Sequence, residues 1–380
     1  MRFLFSTTPG EGHIRPLLPL AGALRARGHE VAFATHESFQ AQLAAEGYPA
    51  FAAGASHAEA RAHLDPYREQ IAALPPLERR RHIYPRLFAQ GHAPPKLRGL
   101  LSIVREWRPH AIVRESSDLA APVAAAALGL PSVNHSFGVM VPLAALEAAG
   151  EALLPLWEQV GEQPLPYAGA FAGLYVDMSP PSFAWEQPLG ESVRLSPAPA
   201  PAGAPPAWLA DLGRPLVYVT LGTVFNDPAV LRQLIAGLDG VPAALVTTGR
   251  SVDPASLGAV PAHVRVESFV PQDRVLPACA VAVAHGGSGS TLGALAHGVP
   301  LVLVPQGADQ FENAVRAEAA GAAVVVAPED LSAETVRDAL RRVLGDPAFA
   351  EAARRVQTEI EAMPRADEVA RRVEVYVAGG

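Results

Sequence analysis

Residues 281–313 read VAVAHGGSGSTLGALAHGVPLVLVPQGADQFEN, and the organisation of the chain follows from how this stretch folds. A short apolar run, Val281 to Ala284, ends at His285. Gly286, Gly287, Ser288, Gly289, Ser290 and Thr291 then open a helix that stops by Gly298, before a second apolar run, Leu301 to Val304. The order is strand, glycine loop, helix, strand. Glycines let a backbone approach a ligand closely, and the free N–H groups of a helix start, with the macrodipole behind them, attract an anion. Ser290 and Thr291 add hydroxyl donors, and His285 stands where a strand's carboxyl end meets the ligand crevice of an open α/β sheet. Together these groups suit a pyrophosphate. No Walker lysine follows the glycines, and no G-x-G-x-x-G with an acid about 20 residues on is present. A glycine turn by itself is equally a tight strand-to-helix connection. Pro305, Gly307, Asp309, Gln310 and Asn313 favour the ligand, because they bring polar groups to the same sheet edge.

The same rhythm opens the chain. Arg2 to Ser6 reads as a buried strand, Thr7 to Ile14 as a loop, Arg15 to Arg27 as a helix stopped by Gly28, and Glu30 to Thr35 as the next strand. That places His13 at the carboxyl edge of the first strand. Ala111 to Glu115 is a strand ending in a carboxylate, followed by an apolar helix, Leu119 to Leu128, and a strand, Ser132 to His135, so Glu115 shares the edge of His13. Between Phe51–Ala53, a further strand, and Ala111, residues His57 to Trp107 mix Arg, Glu and His with apolar residues and are broken at Pro75, Pro76, Pro94 and Pro95. They predict several helices and mobile loops inserted beside the sheet, where a second substrate could be selected. Val139 to Tyr175 predicts further helices, with Trp157, Tyr167, Phe171 and Tyr175 as core. Ser196 to Pro206, SPAPAPAGAPP, is an extended, semi-rigid connection. Leu216 to Thr220 then starts a second βα series: helix Ala229–Leu238, strands Ala244–Thr247 and Val264–Glu267, the stretch first quoted, a strand at Ala323–Val326, and helices from about Ser332, Pro347 and Arg365. Two similar α/β halves imply a cleft between them.

Composition sets outer bounds. A chain of 380 residues can build two full cores, and 49% hydrophobic with 18% charged residues is ordinary globular material. A net charge of −8 argues against a nucleic-acid partner, which calls for basic surfaces. Cys279 is the single cysteine, a core thiol by expectation, so no intrachain disulfide forms. The start turns polar too early for a signal peptide, and no stretch approaches the ~18 to 20 apolar residues of a membrane span. A soluble, cytoplasmic protein is expected, with a homodimer left open.

Phe269-Val270-Pro271-Gln272, His285-Gly286-Gly287, Gly298-Val299-Pro300, Asp309-Gln310 and Asn313-Ala314, in this order and spacing, resemble the donor-binding signature of inverting natural-product glycosyltransferases of the GT-B fold. Gly12 to Pro16 and Thr220 to Thr223 are similar to further landmarks, so the resemblance spans the chain. It implies an α/β fold of two Rossmann-like β/α/β domains facing each other across a cleft. Residues 1–196 would bind the acceptor, 197–214 form the Pro/Ala-rich linker, 215–364 bind the nucleotide-sugar, and 365–380 cross back as a helix to the first domain. The donor-binding candidates are Thr220, Gly222 and Thr223, then Phe269, Val270 and Gln272, then His285, Gly287, Ser288, Gly289, Ser290 and Thr291, and finally Asp309 and Gln310. In the family resembled, the positions of His285, Ser290, Thr291 and Thr223 contact the diphosphate, and those of Asp309 and Gln310 the sugar hydroxyls. Phe269 stands where plant relatives stack the base on Trp. Gly293 stands where they place a ribose-binding Glu, which favours a dTDP-sugar over a UDP-sugar.

The chemistry needs a base for the acceptor hydroxyl. His13 is that base, because a neutral imidazole can take a proton as the bond forms. A carboxylate on its other nitrogen would fix the tautomer. The resemblance puts this acid after a later strand of the same domain, and Glu115 fits by register with Asp118 as the alternative. No Asp-x-Asp occurs, so turnover without metal or other cofactor is expected, the NDP-sugar being a co-substrate. The expected function is inverting transfer of a sugar, a dTDP-deoxysugar before a UDP-sugar, to a hydroxyl of a lipophilic natural product such as a polyketide or macrolide. C-glycosylation of a phenolic acceptor, a non-hydrolysing nucleotide-sugar epimerase and a noncatalytic nucleotide-sugar-binding helper are the alternatives.

Overall fold

A computed structural model describes residues 1–184, 188–197, 203–222 and 226–379. Thr223 and part of the Pro/Ala-rich connection lie outside these residues. The chain divides into two compact units, one of Met1–Ser179, Ala184–Ser196 and Pro364–Gly380, the other of Pro180–Phe183 and Pro197–Met363.

The first unit is built on seven parallel strands: β1 (Arg2–Ser6), β2 (Glu30–Thr35), β3 (Ala50–Ala52), β4 (Ala111–Glu115), β5 (Ser132–His135), β6 (Leu174–Asp177) and β7 (Ser192–Arg194), in the order β3-β2-β1-β4-β5-β6-β7. Side chains alternate across this sheet with a period of two. Phe3 and Phe5 of β1 join Leu20, Leu24, Val369, Val373 and Val377 in the core on one face, while Leu4 joins Leu97, Leu100, Val123 and Trp157 on the other. Both faces are thus covered by helices, as a parallel sheet requires. The helix Ala366–Gly379 belongs to this unit, where Glu374 pairs with Arg27 at 2.7 Å and His29 at 2.6 Å.

Three expectations need correction here. Thr7–Ile14 is not all loop: Glu11–Ile14 is a helical turn, Arg15–Leu17 is 3₁₀, and Leu18–Ala26 resumes the α-helix. Pro16 and Pro19 lack backbone N–H groups, so the hydrogen-bond ladder is interrupted and tightens between them. Residues 57–107 are helical almost throughout, with Pro76 and Pro94 at helix starts rather than breaks and a π-helical stretch at Pro85–His92. Tyr175 ends no helix. It lies in the four-residue strand β6, which Gly173 precedes because a Cβ there would fall 2.0 Å from the Ser132 carbonyl oxygen on β5.

In the second unit, β8 (Leu216–Thr220), β9 (Ala243–Thr247), β10 (Val264–Glu267), β11 (Cys279–Ala284), β12 (Leu301–Leu303) and β13 (Ala323–Val325) form a parallel sheet in the order β10-β9-β8-β11-β12-β13. Val217, Val219, Val281, Val283 and Val302 pack with Leu231, Leu234, Leu340 and Val343 of the covering helices. Cys279 is only partly buried, its thiol donating to the Val275 carbonyl at 3.1 Å. Among the described residues no helix is long and apolar enough to cross a membrane.

Both sheets reverse their strand order once, between β1 and β4 and between β8 and β11. In open α/β sheets, ligands bind at that reversal, outside the carboxyl ends of the strands. His13 follows β1 and Glu115 ends β4; Thr220 ends β8 and His285 follows β11. Every principal candidate therefore stands at a switch point.

Candidate active site

His13 is carried on the helical turn after β1, its side chain 22% exposed, with Nδ1 3.3 Å from Oε2 of the fully buried Glu115. Glu115 is anchored on both oxygens. Oε1 accepts from the Thr8 hydroxyl at 2.7 Å and the Thr8 N–H at 3.2 Å, and Oε2 from the Ser117 N–H at 2.6 Å. Burial pushes this carboxyl up, but His13 and the bonds from Thr8 and Ser117 outweigh it and hold the group below the usual carboxylate range. Phe137 and Phe88 flank the imidazole, with ring centroids 5.0 and 6.0 Å away. Gly10 makes room for it, since a Cβ there would lie 2.9 Å from Cδ2 of His13.

Asp118 does not face His13. Its Oδ2 accepts from Ser6 Oγ at 2.5 Å and lies 3.6 Å from the ammonium of Lys96, while Oδ1 accepts from Ala121 N–H at 3.3 Å. Residues 116–118 turn the chain between strand and helix, and that turn aims Asp118 at the N–H of Ala121 in the first turn of helix Ala120–Ala127. Glu115 is the carboxylate at the imidazole.

In the second unit, helix Ser288–Leu295 starts at Gly287, beside β11 and the end of β8. The first N–H groups of a helix have no partner within it, so they stand ready for an anion. Two of the glycines make room for His285. A Cβ on Gly287 would lie 2.5 Å from Nε2 of His285, and one on Gly222 would lie 2.8 Å from its Cε1. Gly286 takes φ 89° and passes so near helix Gln310–Ala319 that a Cβ would meet the Gln310 carbonyl oxygen at 2.9 Å. Above Gly289, by contrast, a Cβ would meet nothing within 4 Å.

The neighbouring groups form one polar network. Ser288 Oγ donates to Asp309 Oδ2 at 2.7 Å, and the Asn313 amide donates to the same oxygen at 3.0 Å and to the Gly286 carbonyl at 2.8 Å. Gln272 donates to Ser290 Oγ at 3.4 Å, and Gly222 N–H to Thr220 Oγ1 at 3.2 Å. Gln310 also has a structural role: its side-chain oxygen accepts from the N–H groups of Gln306 and Gly307 at 2.6 and 3.0 Å, stapling the loop after β12. Thr291 is 1% exposed, one turn into the helix rather than at its mouth. Val270 is buried, whereas Phe269 is 42% exposed with the Arg250 guanidinium 4.1 Å over its ring. Sequence reasoning missed Thr8, Ser117, Lys96 and Arg250. Lys96 had a signal, a lysine on the apolar face of a helix; Arg250 had none.

Burial holds three imidazoles neutral: it pushes His92 down to about 3, and His135 and His285 down to about 4, Asp309 partly opposing it at His285. An unfolded histidine titrates near 6.5, so between pH ~6.5 and ~4 the unfolded chain binds protons that the folded chain refuses. Stability is therefore complete above pH ~6.5 and falls as the pH drops toward 4, by up to ~1.4 kcal/mol per pH unit for each group. Urea melts at pH 7.5, 6 and 5 are expected to show this loss, and equal stability at all three would refute it.

The fold and these two switch-point sites define the class: a glycosyltransferase of the GT-B fold. Residues 22–222 match the N-terminal domain, and residues 232–376 the C-terminal domain, of the family described as erythromycin biosynthesis protein CIII-like. The chain is 33% identical to L-demethylnoviosyl transferase of Streptomyces niveus, over 94% of each chain. It is also 33% identical to elloramycin glycosyltransferase ElmGT of Streptomyces olivaceus, over 98% of this chain and 97% of that one. Among solved structures, spinosyn rhamnosyltransferase SpnG complexed with thymidine diphosphate superimposes with a TM-score of 0.81 at 28% identity, covering 98% of this chain and all of that one. The chain belongs to the erythromycin biosynthesis protein CIII-like family of natural-product glycosyltransferases.

Proposed function

We propose that this enzyme transfers a sugar, with inversion at the anomeric carbon, from a nucleoside diphosphate sugar to a hydroxyl of a lipophilic natural product. The observation that carries the reading is the His13–Glu115 contact at 3.3 Å. With Nδ1–H turned to the carboxylate, Nε2 is the nitrogen that carries the basic lone pair. It takes the acceptor's proton as the hydroxyl oxygen attacks the anomeric carbon. The bond from that carbon to the diphosphate oxygen breaks on the opposite face, and Glu115 stabilises the imidazolium formed. The departing diphosphate gains charge, which the N–H groups of Ser288, Gly289 and Ser290 and the Ser290 hydroxyl are suited to gather, with a neutral His285 beside them. No Asp-x-Asp clamp occurs in the chain, and we assign the leaving-group charge to these donors without a metal.

The test is transfer from a nucleoside diphosphate α-sugar to a polyphenolic probe such as alizarin, with the product's anomeric configuration read by NMR. A β-glycoside whose rate is unchanged by EDTA supports the reading. Retained configuration overturns the inverting mechanism, and loss of rate restored by magnesium overturns the metal-free one.

A dTDP-sugar is the favoured donor. Gly293 offers no carboxylate for a ribose 2′-hydroxyl, its nearest polar neighbour being Gln272 Oε1, 3.9 Å from where a Cβ would stand. The thymidine diphosphate in the related SpnG points the same way. At equal concentrations dTDP is expected to raise the melting temperature more than UDP, and equal shifts would discard the preference.

A further inference from the structure

Lys96, on helix Ala93–Trp107, is 2% exposed, and the reaction proposed above makes no direct use of it. Its ammonium donates to the carbonyl oxygens of Thr7 at 3.0 Å and Ala34 at 2.6 Å and lies 3.6 Å from Asp118 Oδ2. Ser6 Oγ also donates to Asp118 Oδ2, so the turn leaving β1 is tied at Ser6 and at Thr7 to one buried ion pair. The next residue, Thr8, is 3% exposed and gives both its N–H and its hydroxyl to Glu115 Oε1.

Glutamate carries one more rotatable bond than aspartate, and an unanchored carboxylate would spread over several rotamers. Here three donors hold it, and Oε2 is left toward His13. A buried ion pair contributes little net stability against the desolvation of its two charges, so holding a loop in place is the better account of Lys96. We propose that Thr8 and Lys96 are positioning residues for the His13 base: Lys96 fixes the Ser6–Thr8 turn, and Thr8 fixes the carboxylate that orients the imidazole. This rests on the assignment of His13 as the base.

The readout is the NMR titration of the His13 imidazole in the full-length protein, assigned by its disappearance in His13→Gln. Among the described residues, the titratable groups acting on His13 include Glu115 on β4, His57 on helix His57–Arg61 and His92 on the π-helical stretch; those acting on Lys96 include Asp118, Glu115 and His92. A carboxylate held near an imidazole favours the protonated form. Thr8→Val removes the hydroxyl, the shorter of the two Thr8 donors to Oε1, loosens Glu115 and is expected to lower the His13 midpoint by about half a pH unit or more, while Thr8→Ser, which keeps the hydroxyl, leaves it where it was. Lys96→Met is expected to lower it as well. Loss of a neighbouring cation alone would instead raise it, so a rise or no change overturns the role of Lys96. An unshifted midpoint in Thr8→Val, or equal shifts in Thr8→Val and Thr8→Ser, overturns the role of Thr8. Should Lys96→Met fail to fold, the threonine pair decides. Transfer surviving in His13→Ala would instead defeat the base assignment, an outcome separate from all of these.

Discussion

Replacing His13 with alanine is expected to lower the rate of transfer by ~10²- to 10⁴-fold, the usual contribution of a positioned general base. The change removes little else. His13 is partly exposed on a helical turn, so no sealed cavity is created, and alanine is the strongest helix former. Glu115 is not orphaned, because its oxygens keep the donors from Thr8 and Ser117. The proposed nucleotide contacts all belong to the other unit, so nucleotide binding is expected to stay within about twofold by calorimetry. The pattern to look for is a collapsed turnover with an unchanged dissociation constant for dTDP. A His13→Ala enzyme that turns over within tenfold of the parent would remove the base from the mechanism.

The parts of each unit's site that follow a strand were legible in the sequence, because strand ends are marked by apolar runs and the carboxyl edge of a parallel sheet is where ligands meet it. His13, Glu115 and His285 were all placed in that way. Contacts made across the sheet were not. Glu115 ends and Asp118 closely follows the same strand, and only the position of Lys96, brought in by a distant helix, shows that Asp118 is committed to an ion pair. The glycines carried a second message that sequence does not show. Their freedom was read as room for a ligand, yet Gly222 and Gly287 make room for an imidazole and Gly286 for a neighbouring helix, and Gly289 alone of the loop stands open. Sequence shows that a side chain is absent; it does not show what fills the space. The strands β6 and β7 were missed for a different reason: β6 overlaps the aromatic stretch Val139–Tyr175 that was read as helical, and Ser192-Val193-Arg194 of β7 carries no apolar run to mark a strand.

That reassignment of the glycines yields the second large effect. Gly287 has φ −60° and ψ 143°, a conformation open to any residue, so alanine there introduces no backbone strain. It introduces a methyl group 2.5 Å from Nε2 of His285, well inside contact distance, with Gly222 bounding the ring at Cε1. The imidazole has to swing away from the helix mouth. Gly287→Ala is therefore expected to weaken dTDP binding by tenfold or more, about 1.4 kcal/mol or above. Gly289→Ala separates the possible causes. Its methyl group meets no protein atom, and alanine inside a helix is favoured over glycine by ~0.5–1 kcal/mol, so that variant melts higher. If it also binds dTDP weakly, the ligand occupies the open space over Gly289. Coupling gives the sharper test. Once His285→Ala has removed the imidazole, the methyl group of Gly287→Ala has nothing to displace, and the two losses cannot add. Additive losses, or a Gly287→Ala variant that binds dTDP like the parent, would mean that His285 does not set the shape of the diphosphate site.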